Sequence, residues 1–135
     1  MEEKLVRSVE NILRSYISSD VVAGYTIKKD LVHKILDFYM TKRMSNSRKR
    51  NISVMCYLIA EAYTQHCDIS DEASGNGIAV IYGDYFCTLY YRAVTDLKEY
   101  RLNEEIISRY KRMCIGSFEG RRYDPIPFLT GDRCS

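Results

Sequence analysis

The chain has 135 residues, of which 46% are hydrophobic and 28% are charged, and this composition indicates one soluble domain with a single core. No run approaches the roughly 18 to 20 uninterrupted apolar residues that cross a bilayer, and charges at Glu2, Glu3, Lys4 and Arg7 argue against a signal peptide. The net charge of +2 is too small to indicate nucleic-acid binding by itself. These features predict a cytoplasmic protein without a transmembrane segment.

Two helices are predicted at the start of the chain from apolar residues at three- and four-residue intervals. Segment 3–17 has the pattern of an amphipathic helix that ends near Ser18. After a turn at Gly24, Thr26 is in position to cap a second helix, whose apolar stripe runs from Leu31 to Met40.

The connector that follows is polar and basic. It carries five cations, Lys42, Arg43, Arg48, Lys49 and Arg50. This composition is typical of a solvated loop that leads into a helix start. A contact with phosphate or nucleic acid is the alternative, although no aromatic side chains interleave the charges to stack on bases.

The next segment is apolar on nearly every side. From Ile52 to Tyr63 only Ser53 and Glu61 interrupt the apolar run, which predicts a helix at the centre of a bundle. The sequence then becomes polar from Gln65 to Glu72, and Gly75-Asn76-Gly77 breaks the chain.

Segment 78–100 contains one continuous apolar stripe at helical spacing. Its members are Tyr82, Tyr85, Phe86, Leu89, Tyr90, Ala93, Val94 and Leu97. The opposite side carries the small residues Gly83, Cys87 and Thr88, which allow close approach, together with Asp84 and Tyr91. We expect such a helix to be covered on both sides.

The last helix is predicted to begin with Asn103 as its cap and to stop at Gly116 and Gly120. Residues 1–120 are therefore expected to form a single all-α domain, a compact helical bundle. Residues 121–135, which include Pro125 and Pro127, are expected to be a tail that is mobile or ordered by a partner.

The sequence offers little for chemistry of its own. It contains no glycine-rich phosphate loop, zinc-protease helix or nucleophile elbow. The two histidines, His33 and His66, are too few for a histidine-based site, and five cysteines without a C-x-x-C pair predict mostly buried thiols. The carboxylates of Asp68, Asp71 and Glu72 have the spacing to share magnesium, but a polar helix end is the simpler interpretation. No catalytic and no metal-ligating residue is predicted.

Two segments carry a resemblance to a known family. They are Ile52 to Asp68 (ISVMCYLIAEAYTQHCD) and Val80 to Tyr91 (VIYGDYFCTLYY), which cover about a quarter of the chain. An apolar helix ending in His-x-Asp, followed by Gly-Asp-Tyr at the head of an aromatic helix, resembles the trans-polyprenyl diphosphate synthases. The likeness is greatest to the small subunits of their heterodimeric members, heptaprenyl diphosphate synthase component I and the hexaprenyl diphosphate synthase small subunit.

The resemblance implies a role without independent activity. In the catalytic members the first helix ends in a D-D-x-x-D motif that holds magnesium and the allylic diphosphate, and a second such motif follows far along the chain. Here His66 to Asp71 offers two spaced aspartates, and no second motif is present. The resemblance therefore implies a truncated relative of the isoprenoid synthase fold that is inactive alone. It would support a catalytic large subunit, which binds the Mg²⁺, and help to set prenyl chain length, with no cofactor on this chain.

The same resemblance implies the site residues. The aromatic helix would border the product channel or form the partner interface, within reach of the prenyl product. Its residues are Tyr82, Gly83, Asp84, Tyr85, Phe86, Leu89 and Tyr90. Ordinary core is the alternative for the stripe. The alternative function is a helical interaction or nucleic-acid-binding module that uses segment 42–50 and the basic tail.

Overall fold

The computed structural model describes residues 2–18, 20–67 and 76–131, and within them the backbone forms six helices and no strand. They are α1 (Glu2–Tyr16), α2 (Lys29–Met40), α3 (Asn46–Cys67), α4 (Asn76–Leu97), α5 (Tyr100–Phe118) and α6 (Pro125–Thr130). The predicted all-α fold class is confirmed. None of the described helices has the length and apolar character needed to cross a membrane.

The helix α3 lies at the centre of the bundle, as its sequence predicts. Every residue from Ile52 to Tyr63 is buried, and each of the other five described helices contacts α3. Because α3 is covered from all directions, apolar residues are favourable on all of its sides.

The helices α1 and α2 cover α3 with the apolar stripes that their spacing predicts. Leu13 of α1 and Ile35 of α2 are fully buried in the shared core. Burial of one such side chain stabilises the fold by about 1.5 to 3 kcal/mol. Both helices therefore depend on tertiary packing, as short helices generally do.

Two helix starts differ from the sequence prediction. The cap of α2 is Lys28 rather than Thr26, because the Lys28 N–H donates to the Tyr57 hydroxyl at 2.9 Å. The cap of α5 is Glu99, while Asn103 lies inside the helix and its Oδ1 accepts a hydrogen bond of 2.7 Å from the Tyr90 hydroxyl. At both starts, a hydrogen bond to another helix lies at or near the boundary.

The C-terminal segment also differs from the expectation of a mobile or partner-ordered tail. Residues 125–130 form α6, which packs on α3 and α5 of the same chain and buries Ile126 and Leu129. Pro125 stands at the helix start, where its missing N–H costs nothing, and Gly131 ends the helix with φ +81°. Residues 132–135 lie outside the described residues.

Candidate functional site: the α3–α4 pair

The α3–α4 pair is the most extensive helix contact of the bundle, and it brings together the two segments that carry the family resemblance. The helices run antiparallel: His66 at the end of α3 meets Asp84 near the start of α4, and Asn51 at the start of α3 bonds Glu99 just after α4. The long apolar run and the Gly-Asp-Tyr segment therefore share one interface.

At the polar end of this pair His66 is seated on Gly83. A Cβ placed on Gly83 would lie 2.2 Å from the ring carbon Cδ2 of His66, a distance that no side chain tolerates. The His66 Nε2 lies 3.0 Å from Asp84 Oδ1, which accepts a hydrogen bond when Nε2 carries the proton. Gly83 thus admits a side chain of α3, and Asp84 fixes its orientation.

Three of the predicted site residues, Phe86, Leu89 and Tyr90, lie in the core of the chain itself. Phe86 is fully buried and packs on Tyr25 with the ring centroids 5.4 Å apart. These side chains hold α4 on its own bundle, as the core interpretation of the stripe expects.

Tyr82 and Tyr85 are half-buried at the border of that core. The Tyr85 hydroxyl accepts a hydrogen bond of 2.7 Å from the Ser18 N–H and lies 3.4 Å from the carbonyl oxygen of Tyr16. Tyr85 therefore ties the first half of α4 to the end of α1.

The side of α4 opposite its buried stripe is exposed, although Asp84 on this side also reaches His66 of α3. We define the outward face of α4 as Val80, Ile81, Asp84, Thr88, Tyr91 and Thr95. The exposed fraction is 60% for Ile81, 49% for Tyr91 and 44% for Val80. Single exposed apolar residues are common, but three on one helix face mark a surface suited to a partner.

The small residues of α4 make contacts within the chain. Besides Gly83, Cys87 lies 3.7 Å from the hydroxyl of Tyr110 on α5. Burial raises the pKa of the Cys87 thiol, and burial raises the pKa of the Cys56 thiol to about 12. These free cysteines are therefore protonated and structural at neutral pH.

The basic connector is partly used by the fold. Lys49 is buried and its Nζ donates to the carbonyl oxygen of Met40 at 3.0 Å, which satisfies the end of α2. Arg48 pairs with Glu99 at 3.4 Å, and Lys42 lies 4.7 Å from the centroid of Phe38. Arg50 donates to Asn51 Oδ1 at 3.1 Å, so four of the five cations are engaged within the chain.

The acidic group considered for magnesium, Asp68, Asp71 and Glu72, lies outside the described residues. Within residues 2–18, 20–67 and 76–131 no cluster of three or more histidine, cysteine or carboxylate side chains is placed to hold a metal ion.

The sequence did not predict the buried polar network around Glu61. Glu61 of α3 is buried, and its carboxylate accepts hydrogen bonds from Lys28 Nζ at 3.0 Å and from the Tyr25 hydroxyl. The Tyr25 hydroxyl also lies 2.5 Å from that of Tyr57, and burial raises the pKa of both phenols. Only the interruption of the apolar run at Glu61 signals that a buried partner is required.

Comparisons with protein-family models, curated proteins and solved structures found no match for this chain. The family resemblance therefore depends on the two quoted segments alone.

Proposed function

We propose that this chain is the non-catalytic small subunit of a heterodimeric polyprenyl diphosphate synthase, which supports the catalytic subunit and helps to set prenyl chain length. The observation that carries the proposal is the packing of the two family-like segments. They lie on the consecutive helices α3 and α4, which pack antiparallel and touch where His66 meets Gly83 and Asp84.

The proposal assigns the partner interface to the outward face of α4. Phe86, Leu89 and Tyr90 are buried in this chain, so they support α4 from behind and are closed to a second subunit. Ile81 and Tyr91 offer exposed apolar area, and Asp84 between them adds a charge that can fix orientation. Product length then depends on where α4 positions the wall of the partner's channel.

The proposal assigns the chemistry to the partner. Magnesium and the diphosphate substrates bind the catalytic subunit, and the complex acts in the cytoplasm. The isolated chain, supplied with Mg²⁺, an allylic diphosphate and isopentenyl diphosphate, is expected to form no product. Robust elongation by the pure protein would refute the subunit role.

Co-purification with a candidate catalytic subunit tests the interface. We expect Ile81→Lys and Tyr91→Lys to reduce the recovered complex at least about tenfold, because each places a charge in an apolar contact. Val21→Lys is the matched control, since Val21 is 43% exposed but lies in the α1–α2 loop. Equal recovery of all three variants would exclude the outward face of α4 as the interface.

A further inference from the structure

The outer side of α5 changes character along the helix. Its first half exposes the polar residues Arg101, Glu104 and Ser108, whereas its end exposes Ile115 and Phe118. Phe118 is 94% exposed, the largest value among the described large hydrophobic side chains, and Ile115 is 60% exposed. Because residues three apart lie side by side on a helix, these two side chains form one apolar patch, which we call the α5 end patch.

The exposure of Phe118 does not come from an open helix end. Gly120 has φ +96°, and its N–H donates to the carbonyl oxygen of Ser117 at 3.0 Å. The Arg121 N–H donates to the carbonyl oxygen of Gly116 at 2.9 Å, which completes the Schellman motif that ends many helices. Since Gly116, on the opposite side of this turn, is buried against the bundle, Phe118 projects away from the bundle.

Two cations flank the α5 end patch. Lys111 lies four residues before Ile115 and Arg112 lies three residues before it, so both are neighbours of Ile115 on the helix surface. Both cations are exposed. The Arg112 guanidinium lies 5.8 Å from the centroid of the Phe128 ring, a contact that leaves its charge in place. Apolar side chains and positive charge therefore share one surface.

Nearby carboxylates do not cancel this charge. The three carboxylates nearest to the patch in sequence each pair with another cation of the chain: Glu105 with Arg109, Glu119 with Arg121, and Asp124 with Lys34. Each of these carboxylates is thus balanced by its own partner. The charges of Lys111 and Arg112 remain, and the α5 end patch has a positive border.

A second copy of the chain does not fit the α5 end patch. A symmetric dimer brings the same surface of both subunits together, so Lys111 and Arg112 of one copy would face those of the other. Two apolar side chains also fall far short of the about 800 Å² that each partner buries in a stable protein interface. A membrane surface with anionic lipids has neither requirement, because single apolar side chains enter it and its charge attracts cations.

We infer that the end of α5 binds the surface of a membrane that contains anionic lipids. Phe118 and Ile115 enter the boundary between head groups and acyl chains, while Lys111 and Arg112 contact the anionic head groups. The fully projecting aromatic ring beside two exposed cations carries the inference. The α5 end patch shares no residue with the outward face of α4, so this inference and the proposed function can fail separately.

Co-sedimentation of the full chain with vesicles of phosphatidylcholine, with and without phosphatidylserine, tests the inference. We expect saturable binding only when phosphatidylserine is present, and loss of binding at about 1 M salt, where the Debye length is about 3 Å. Phe118→Ser should weaken binding at least about tenfold, since the ring no longer leaves water. Tyr100→Ser is the matched control, because Tyr100 is 56% exposed at the other end of α5, and it should change affinity less than about twofold. Absence of binding, equal binding to both kinds of vesicle, or an equal loss in the control would overturn the inference.

A second pair of variants separates the α5 end patch from attraction by total charge. Lys111→Gln/Arg112→Gln should weaken binding about tenfold. Lys42→Gln/Arg43→Gln removes the same charge from the α2–α3 connector and should change affinity less than about twofold. Equal losses in the two double variants would overturn the inference. Circular dichroism verifies that all variants fold, and sedimentation velocity without vesicles should show a monomer, whereas a dimer that Phe118→Ser dissociates would assign the patch to a second copy instead.

Discussion

The helices α3 and α4 are both 22 residues long and apolar on more than one side, but the bundle buries them differently. From Ile52 to Tyr63 α3 is buried on all sides, whereas α4 buries Phe86 and leaves Ile81 and Tyr91 exposed. The reason is position: five helices surround α3, while α4 packs mainly on α3. A helix that is apolar on many sides is therefore not buried on all of them unless enough other helices pack around it.

This comparison separates the part of α4 that the chain itself covers from the part that it leaves exposed. A helix whose apolar sides are satisfied within the chain offers nothing to a second subunit, however aromatic it is. On that ground α3 and the inward side of α4 are structural, whereas the outward face of α4 is the part of this helix that the chain leaves exposed. The predictions below test this division.

The largest difference in stability is expected between two aromatic residues of α4, Phe86 on its buried side and Tyr91 on its outward face. Phe86→Ala should destabilise the chain by about 3 to 5 kcal/mol, because it leaves a cavity in a closed core. Tyr91→Ala should cost about 1 kcal/mol or less, since half of its surface is exposed. Denaturant unfolding of the two variants measures the difference, and similar losses would mean that the two faces of α4 are not distinct.

Most of this division could be predicted from the sequence, because it follows from helical periodicity. Segment 3–17 predicts α1 within one residue at each end, and the apolar run from Ile52 to Tyr63, interrupted only at Ser53 and Glu61, predicts the central position of α3. The stripe through Phe86 and Tyr90 predicts the buried side of α4. These features are local, so single-chain patterns contain them.

What the sequence did not reveal depends on partners far along the chain. The Thr26 cap fails because Tyr57, which lies 29 residues after Lys28, binds the start of α2. Gly83 was expected to admit another backbone, and in the structure it admits the ring of His66. The six residues of α6 are too few to show a period, although Pro125 and Gly131 were usable start and stop signals.

A smaller effect is expected at the contact between the two helices. Gly83→Ala gains up to about 1 kcal/mol of helix propensity but forces His66 away, so we expect a net loss of about 0.5 to 2 kcal/mol. In a His66→Ala background the same change should be neutral or stabilising. A double-mutant cycle measures the coupling, and additive effects would show that His66 does not rest on Gly83.

The smallest effect is expected at Ser53, whose side-chain hydroxyl is buried without a hydrogen-bond partner. Ser53 is 1% exposed, and its Oγ is the only buried side-chain oxygen or nitrogen in the described residues without a hydrogen-bond partner. Because such a hydroxyl has lost water and gained nothing, Ser53→Ala should stabilise the chain by about 0.5 to 1.5 kcal/mol. Part of that gain is helix propensity, and Ser108→Ala on the exposed side of α5 measures this part alone, at about 0.5 kcal/mol. A larger gain in stability at Ser53 than at Ser108 supports complete burial of this part of α3. A loss of stability at Ser53 would mean instead that its hydroxyl is hydrogen-bonded and that this part of α3 is not fully shielded from water.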